Sequence, residues 1–365
     1  MKKQESNGPA GIRQIAQALG VSIGTVDRAL HGRDGVSPKT RERVLKLAQK
    51  LNYTPNLAAR NLKLNRHYRI GVFLPEQIEC FFDPLRAGIQ AAARDARGAN
   101  LEVVFHSYIR LGEGDTAAME RHNWRAYDGI ILAPGLAGKL ISACQAAEME
   151  NKPVVFVATD AARVPRLGSV SVESAISGGI AAELLGRLIS TRREVVVITG
   201  DLRIQDHADK LRGFAGALAT LAPHLAMLPA VQSHESAREA RKATLRLLEK
   251  HPDLGGIYIN TANSAPVIGA LADSRKPGQV QVIATDLFAA MAQWIESGQV
   301  FATLHQRPFT QGRMAFEMLR HYLLQGSAPE SSVRLAPHLV LRSNLPLFLD
   351  AYNSGSSRRK SEQAI

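Results

Sequence analysis

Two textures of apolar spacing divide this chain. Up to about residue 63 the apolar positions recur at helical intervals. Ile15, Ala16 and Leu19 mark a short helix that stops at Gly20, and Val26, Ala29 and Leu30 mark a second, opened by Ser22 as N-cap. Ser37-Pro38-Lys39-Thr40 supplies a cap and a first-turn proline for a third helix through Leu51. Asn52-Tyr53-Thr54-Pro55-Asn56 breaks that helix, and Leu57–Lys63 restarts a short basic one. From Arg69 onward, short apolar runs alternate with helix-period stretches. The runs are Ile70–Leu74, Val103–His106, Gly129–Ala133, Val154–Ala158, Val195–Thr199, Met227–Val231, Gly256–Ile259, Val280–Thr285 and Phe301–Leu304. Helical spacing fills Pro84–Arg97, Ala137–Glu148, Ile176–Ile189, Asp209–Leu221, Ala237–Lys250 and Ala265–Ala272. Strand and helix in alternation predict an α/β fold of doubly wound parallel sheets with helices on both faces. Two successive sets predict two similar lobes, with the first crossover near Gly168–Glu173.

The N-terminal pattern is that of a helix-turn-helix, whose second helix enters a DNA major groove by its N-terminal end. That places Ile23, Gly24 and Arg28 towards base edges and Ser22 and Thr25 nearer phosphates, with His31 grouped on the same surface. A three-helix module that binds another protein is the alternative. Charge separates the two. Of the formal net charge of +12, residues 1–69 carry fourteen Lys or Arg against four Asp or Glu, leaving 31 against 29 for the other 296 residues. The excess sits on the helical module, as a nucleic-acid footprint requires.

The ordered words Gly20-Val21-Ser22, Thr25-Val26, Arg28, Gly35-Val36-Ser37, Thr40-Arg41, and Tyr53-Thr54-Pro55-Asn56 through Ala59-Arg60-Asn61-Leu62 resemble the DNA-binding head and hinge of the LacI (lactose-repressor) family of bacterial transcription regulators. The resemblance implies a hinge helix that folds on a palindromic operator, with Leu62 wedged into the minor groove at its centre. It adds Asn56, Ala59 and Arg60 to the DNA-contacting set, and a homodimer that places two recognition helices on two half-sites. Two positions depart from the family pattern. Asp27 stands where serine is common, and Gly24 offers no side chain to a base.

In open parallel sheets, ligands bind beyond the carboxyl ends of the strands. Polar or aromatic residues follow the runs there: Phe81, Phe82 and Asp83, Asp160, His207 with Lys210, Asn260, Asp286 and Gln306. Singly, each is an ordinary helix cap or turn residue. The series Asp286, Ile295, Gly298, Thr303, Gln306, Pro308 and Gly312 resembles the closing segment of ribose-type periplasmic sugar-binding proteins, whose fold LacI-family effector domains share. By that resemblance Asp286 and Gln306, and less directly Asp160 and Asn260, meet sugar hydroxyls, which both donate and accept. Lys210 stands three residues before Gly213-Phe214, where the family places an effector-contacting arginine; a lysine there suits a hydroxyl, a carboxylate or a phosphate. Phe81 and Phe82 suit either a platform for a sugar ring or core packing.

The expected partition is a disordered N-terminus (1–10), a helix-turn-helix domain (11–55), a hinge and linker (56–68), an effector and dimerisation domain (69–350) and a disordered tail (351–365). Within the effector domain, the N-lobe is expected at 69–168 plus 299–330 and the C-lobe at 169–298 plus 331–350. Nothing recommends an enzyme: no Gly-x-Ser-x-Gly, Walker loop, His-Glu-x-x-His or post-strand Gly-x-Gly-x-x-Gly occurs. No metal site or cofactor is expected, and Cys80 and Cys144 stand alone. A polar N-terminus and the lack of a long apolar run suggest a cytoplasmic protein without a membrane span. The expected function is a sequence-specific regulator, in the form of a repressor, of carbohydrate uptake or catabolism genes, answering to a sugar or polyol. A nucleobase or phosphorylated effector is the runner-up, and a solute-binding transport protein a more distant one.

Overall fold

A computed structural model describes residues 12–30, 34–51, 67–96, 100–274, 279–327 and 331–349. The expected hinge contacts Asn56, Ala59, Arg60 and Leu62, together with His31 and both chain ends, lie outside them. The chain divides into two compact units, Met1–Asn65 and Arg66–Ile365.

The first unit holds α1 (Ile12–Leu19), α2 (Ile23–Leu30) and α3 (Pro38–Lys50). Gly20 turns the chain between the first two with φ +65°, a left-handed conformation that costs glycine little. Ser37 caps α3 by accepting the Thr40 amide, with Pro38 in the first turn as the sequence indicated. The apolar stripes meet in one small core of Ile15, Ala16, Val26, Ala29, Val44 and Ala48. At about 1.5–3 kcal/mol for each large side chain buried, those few residues supply most of what orients the three helices.

The second unit contains two sheets. The first comprises β1 (Tyr68–Pro75), β2 (Leu101–Tyr108), β3 (Gly129–Leu132), β4 (Val154–Ala158), β5 (Gly168–Val172) and β12 (Ser332–Leu335), in the order β12-β5-β4-β3-β1-β2 with every pair parallel. The second comprises β6 (Arg193–Thr199), β7 (Leu225–Met227), β8 (Val231–Gln232), β9 (Leu254–Ile259), β10 (Gln281–Thr285), β11 (Ala302–His305) and β13 (His338–Leu341). Its order is β13-β11-β10-β9-β6-β7, with β8 also on β6, and only β13 runs antiparallel. Apolar cores lie on both faces of each sheet, which is why the central strands read as continuous hydrophobic runs.

The chain passes between sheets three times: after β5, between β11 and the helix Pro308–Gln325, and between β12 and β13. The lobe boundaries expected from sequence therefore shift. β5 belongs to the first lobe although it starts at residue 168; β11 belongs to the second although it follows residue 299. β12, at 332–335, returns to the first. The reason is pairing. β5 reads Gly-Ser-Val-Ser-Val, too polar for the apolar scan, yet it is held between β4 and β12 with Val170 and Val172 buried. The run expected over Met227–Val231 is two strands, interrupted around Pro229.

In the first lobe, the helices Glu79–Asp95 and Pro308–Gln325 cross so closely that a Cβ at Gly312 would overlap the Leu85 carbonyl. Gly312→Ala is expected to cost about 1–3 kcal/mol, since the helices must separate to admit the methyl. Urea unfolding followed by circular dichroism measures this; a midpoint equal to wild type would show that the crossing yields freely.

Candidate functional site

Two surfaces gather the residues singled out by sequence. On the three-helix unit, Val26 and Ala29 of α2 are buried, so Ser22, Ile23, Gly24 and Arg28 face solvent. Ser22 Oγ accepts the Thr25 amide at 3.0 Å and lies 2.8 Å from Thr25 Oγ1. The two hydroxyls thus close the N-terminus of α2, with Ile23 exposed in its first turn and Arg28 exposed in its last. Ile23 keeps 46% of its surface in water. An exposed aliphatic chain at a helix N-terminus suits a thymine methyl, and an arginine one turn later suits the O6 and N7 of guanine.

On the two-lobed unit, the carboxyl ends of the strands meet across a cleft. His207, Lys210, Asn260, Asp286 and Gln306 are brought together there, all nearly or wholly buried. Lys210 Nζ donates to Asp206 Oδ2 at 2.7 Å, to Gln306 Oε1 at 2.7 Å and to the Asn260 carbonyl at 3.4 Å. Asp286 completes the chain of bonds: its Oδ1 accepts the Gln306 amide at 2.9 Å and its Oδ2 accepts Gln306 Nε2 at 2.6 Å. Asp286 itself sits at φ +67°, a left-handed position that aspartate tolerates better than most residues. Gln306 is one residue beyond β11, where the chain leaves the second lobe for the first.

Asp206 was missed by the sequence reading, hidden as an acidic residue in a helix's first turn. Burial works to raise its carboxyl. The ammonium of Lys210, aided by His207 and by the 2.6 Å bond from Ser174 Oγ, more than offsets burial and holds it below the usual carboxylate range. Its backbone amide donates to Thr159 Oγ1 of the first lobe at 3.1 Å. The Ala162 amide reaches Gln205 Oε1 at 2.9 Å, so the lobes are bonded along this edge.

Three expected contacts are placed elsewhere. Asp160 accepts from Arg166 Nη2 at 2.7 Å, Ser169 Oγ at 3.1 Å and the Ala161 amide at 2.8 Å, all within the first lobe. It braces the end of β4 and leaves Thr159 to meet the other lobe. Phe81 and Phe82 are 5% and 2% exposed and pack edge to face, 5.0 Å apart, in the first lobe's core. They are core residues, and the platform expectation is withdrawn: helical spacing with Leu85 and Ile89 turns them inward. Trp294 is half-buried on its own lobe against Phe288.

Beside the polar chain lies a cavity of about 480 Å³, lined from the first lobe by Gln77 and Arg110 among others and from the second by Glu235, Asn263, Ser264 and Phe288. Its volume is in the range of small-ligand pockets, about 300–1,000 Å³. Glu235 is 7% exposed, and both carboxylate oxygens share the single hydroxyl of Thr261, at 3.0 and 2.9 Å. His207 Nδ1 lies 3.1 Å from both the amide nitrogen and the carbonyl oxygen of Asp201, and its Nε2 faces Glu235 Oε1 at 3.5 Å. Sequence reasoning missed Glu235 because Met227–Val231 was read as one strand. Its signal was present, since Glu235 follows the carboxyl end of β8 as the others follow their strands. Among the described residues, no cluster of His, Cys, Asp or Glu suits a metal ion.

Both parts of the chain have counterparts among known proteins. Residues 11–56 match the family described as bacterial regulatory proteins, lacI family, and residues 70–327 match the periplasmic binding protein domain. The chain is 23% identical over 336 residues to "Catabolite control protein A" of Priestia megaterium, covering 90% of this chain and 97% of that one. It is 26% identical over 339 residues to "Ribose operon repressor" of Bacillus subtilis, covering 89% and 95%. Among solved structures, a solute-binding protein of Burkholderia graminis in complex with D-arabinose matches with a TM-score of 0.70 at 21% identity, over 76% of this chain and 96% of that one.

Proposed function

The chain belongs to the periplasmic binding protein domain family and carries a lacI-family head in front of that domain, and from this premise we propose that it is a DNA-binding transcription regulator, a repressor of carbohydrate genes, controlled by a small sugar-like effector held between its two lobes. The observation that carries the reading is the joining of the two parts in one chain: an exposed N-terminal end on α2 above a small core, and a cleft whose strand ends converge on buried polar groups. The cleft is chemically suited to hydroxyls, because amides, carboxylates and hydroxyls line it. The protein acts in the cytoplasm as a homodimer on a palindromic operator, two heads matching two half-sites. Effector binding favours one relation of the lobes, and its effect on operator affinity is matched by the operator's effect on effector affinity.

Selection of genomic DNA fragments by the purified protein at physiological salt tests this directly. One shared palindrome beside carbohydrate transport or catabolism genes is the expected result. Diffuse retention that collapses with salt, with and without sugars, would mean phosphate contacts alone and would remove the regulator reading. Within the recovered site, Arg28→Ala is expected to lose about 1–3 kcal/mol of discrimination at one base pair per half-site. Competition binding with single-base variants measures it; unchanged selectivity would take Arg28 out of base reading.

A further inference from the structure

The polar groups of the cleft divide into those already spent on one another and those with capacity left. Lys210 directs its ammonium at three acceptors, and the Asp286 oxygens are held by Gln306. Arg110, at the cavity's edge, pairs with Glu113 through Nη2 at 2.7 Å and Nε at 2.8 Å. Asp160 has Arg166. Among the described residues lining the cavity, Arg110 is the cation, and it has the carboxylate of Glu113. By contrast, Glu235 offers two carboxylate oxygens to one hydroxyl and one distant imidazole nitrogen. Ser264 lines the same cavity, is fully buried, and its Oγ has no hydrogen-bond partner. Burying a hydroxyl without a partner is costly, and such a group points to a ligand or water that completes it.

We infer that Glu235 and Ser264 form the effector-reading pair of the cavity, and that they select an uncharged, hydroxyl-rich ligand and reject anionic ones such as phosphate esters. The inference rests on the effector reading above and narrows it. Glu235 accepts from two hydroxyls of the ligand, and the free hydroxyl of Ser264 donates to or accepts from a third. A phosphate brought to this cavity would meet the buried Glu235 carboxylate, while Lys210 and Arg110 are already paired. The mutual repulsion of two anions away from water is strong. Lys210, which the sequence offered as a contact to a hydroxyl, a carboxylate or a phosphate, is therefore an internal strut and not an anion receptor.

The test is calorimetric titration of the intact protein with two sets of probes. The neutral set is D-arabinose, D-ribose, D-glucose and myo-inositol; the anionic set is D-ribose 5-phosphate and D-glucose 6-phosphate. Expected is binding of at least one neutral member and none of the phosphates, with Glu235→Gln and Ser264→Ala each weakening that binding at least tenfold. Ser264→Ala removes a hydroxyl that has no partner, so it should fold at least as well as wild type and keeps the test clear of stability losses. A phosphate ester that binds more tightly than its neutral counterpart would overturn the charge assignment. Binding within twofold of wild type in both variants would overturn the residue assignment. If neither set binds, the effector reading of the cleft fails, and this inference with it.

Discussion

Lys210→Met is expected to destabilise the two-lobed unit by about 3–5 kcal/mol at neutral pH, the cost of leaving one partner of a buried ion pair without the other. Lys210 is 1% exposed and Asp206 8%. With the ammonium gone, Asp206 keeps the Ser174 hydroxyl but loses the group that holds its carboxyl low. Gln306 Oε1 and the Asn260 carbonyl lose a donor in the same step. Methionine fills the volume, so the loss is electrostatic and not a cavity. In the native protein the folded-state Asp206 titrates below its ordinary 3.8, so the pair's contribution is present above that value and is lost as pH falls through the depressed one. In Lys210→Met the buried carboxyl titrates above its ordinary value, and protonation relieves it. The difference between the two proteins should therefore be largest near pH 7 and shrink as the medium is acidified. Urea unfolding at a series of pH values measures this; a deficit independent of pH would show that the Lys210–Asp206 bond is not its source.

Asp286→Ala is expected to abolish the response of operator binding to effector and to cost about 3 kcal/mol or more of stability. Both Asp286 oxygens accept bonds from Gln306, one from its amide and one from its side chain. Buried hydrogen bonds to a charged group contribute about 1.5–3 kcal/mol each, and alanine leaves both donors of Gln306 without an acceptor. Alanine is also a poorer occupant of the left-handed backbone at this position. Gln306 lies where the chain crosses between lobes, and its side-chain oxygen holds Lys210. Releasing it frees the joint through which ligand binding must bias lobe orientation. Operator affinity without effector should persist, because α1–α3 form a unit with their own core. Titration of operator binding against effector, alongside a thermal melt, checks both parts. A variant with wild-type response would show that Asp286 is only a turn residue.

Much of the site was legible because a rule of topology applied to it. A polar residue directly after an apolar run marks a strand's carboxyl end, and His207, Lys210, Asn260, Asp286 and Gln306 were found that way and do converge. The same rule misplaced Asp160, which follows its strand as expected but turns to Arg166 within its own lobe. It misread Phe81 and Phe82, whose helical register carries them into the core. It overlooked Glu235 because a proline divides the run before it. Lobe membership was the least legible feature. β5 and β12 pair across about 160 residues of sequence, in the register Ser332↔Ser169 to Leu335↔Val172, and their short, mixed composition gives no local sign of it.

By itself the sequence determined what local periodicity and local chemistry dictate. The capped helices of the head, the concentration of charge on it and the alternation of strand and helix are written in neighbouring residues. Their free energies are set within a few turns of chain. Only the tertiary structure decided which sheet each late strand joins, since that depends on pairing partners distant in sequence. It also decided that Lys210 spends its charge on Asp206 and Gln306, and that Glu235 and Ser264 keep capacity for a ligand. A side chain's type fixes how many bonds it can make. Which of them the protein satisfies from within is settled by what the fold brings within about 3 Å of it.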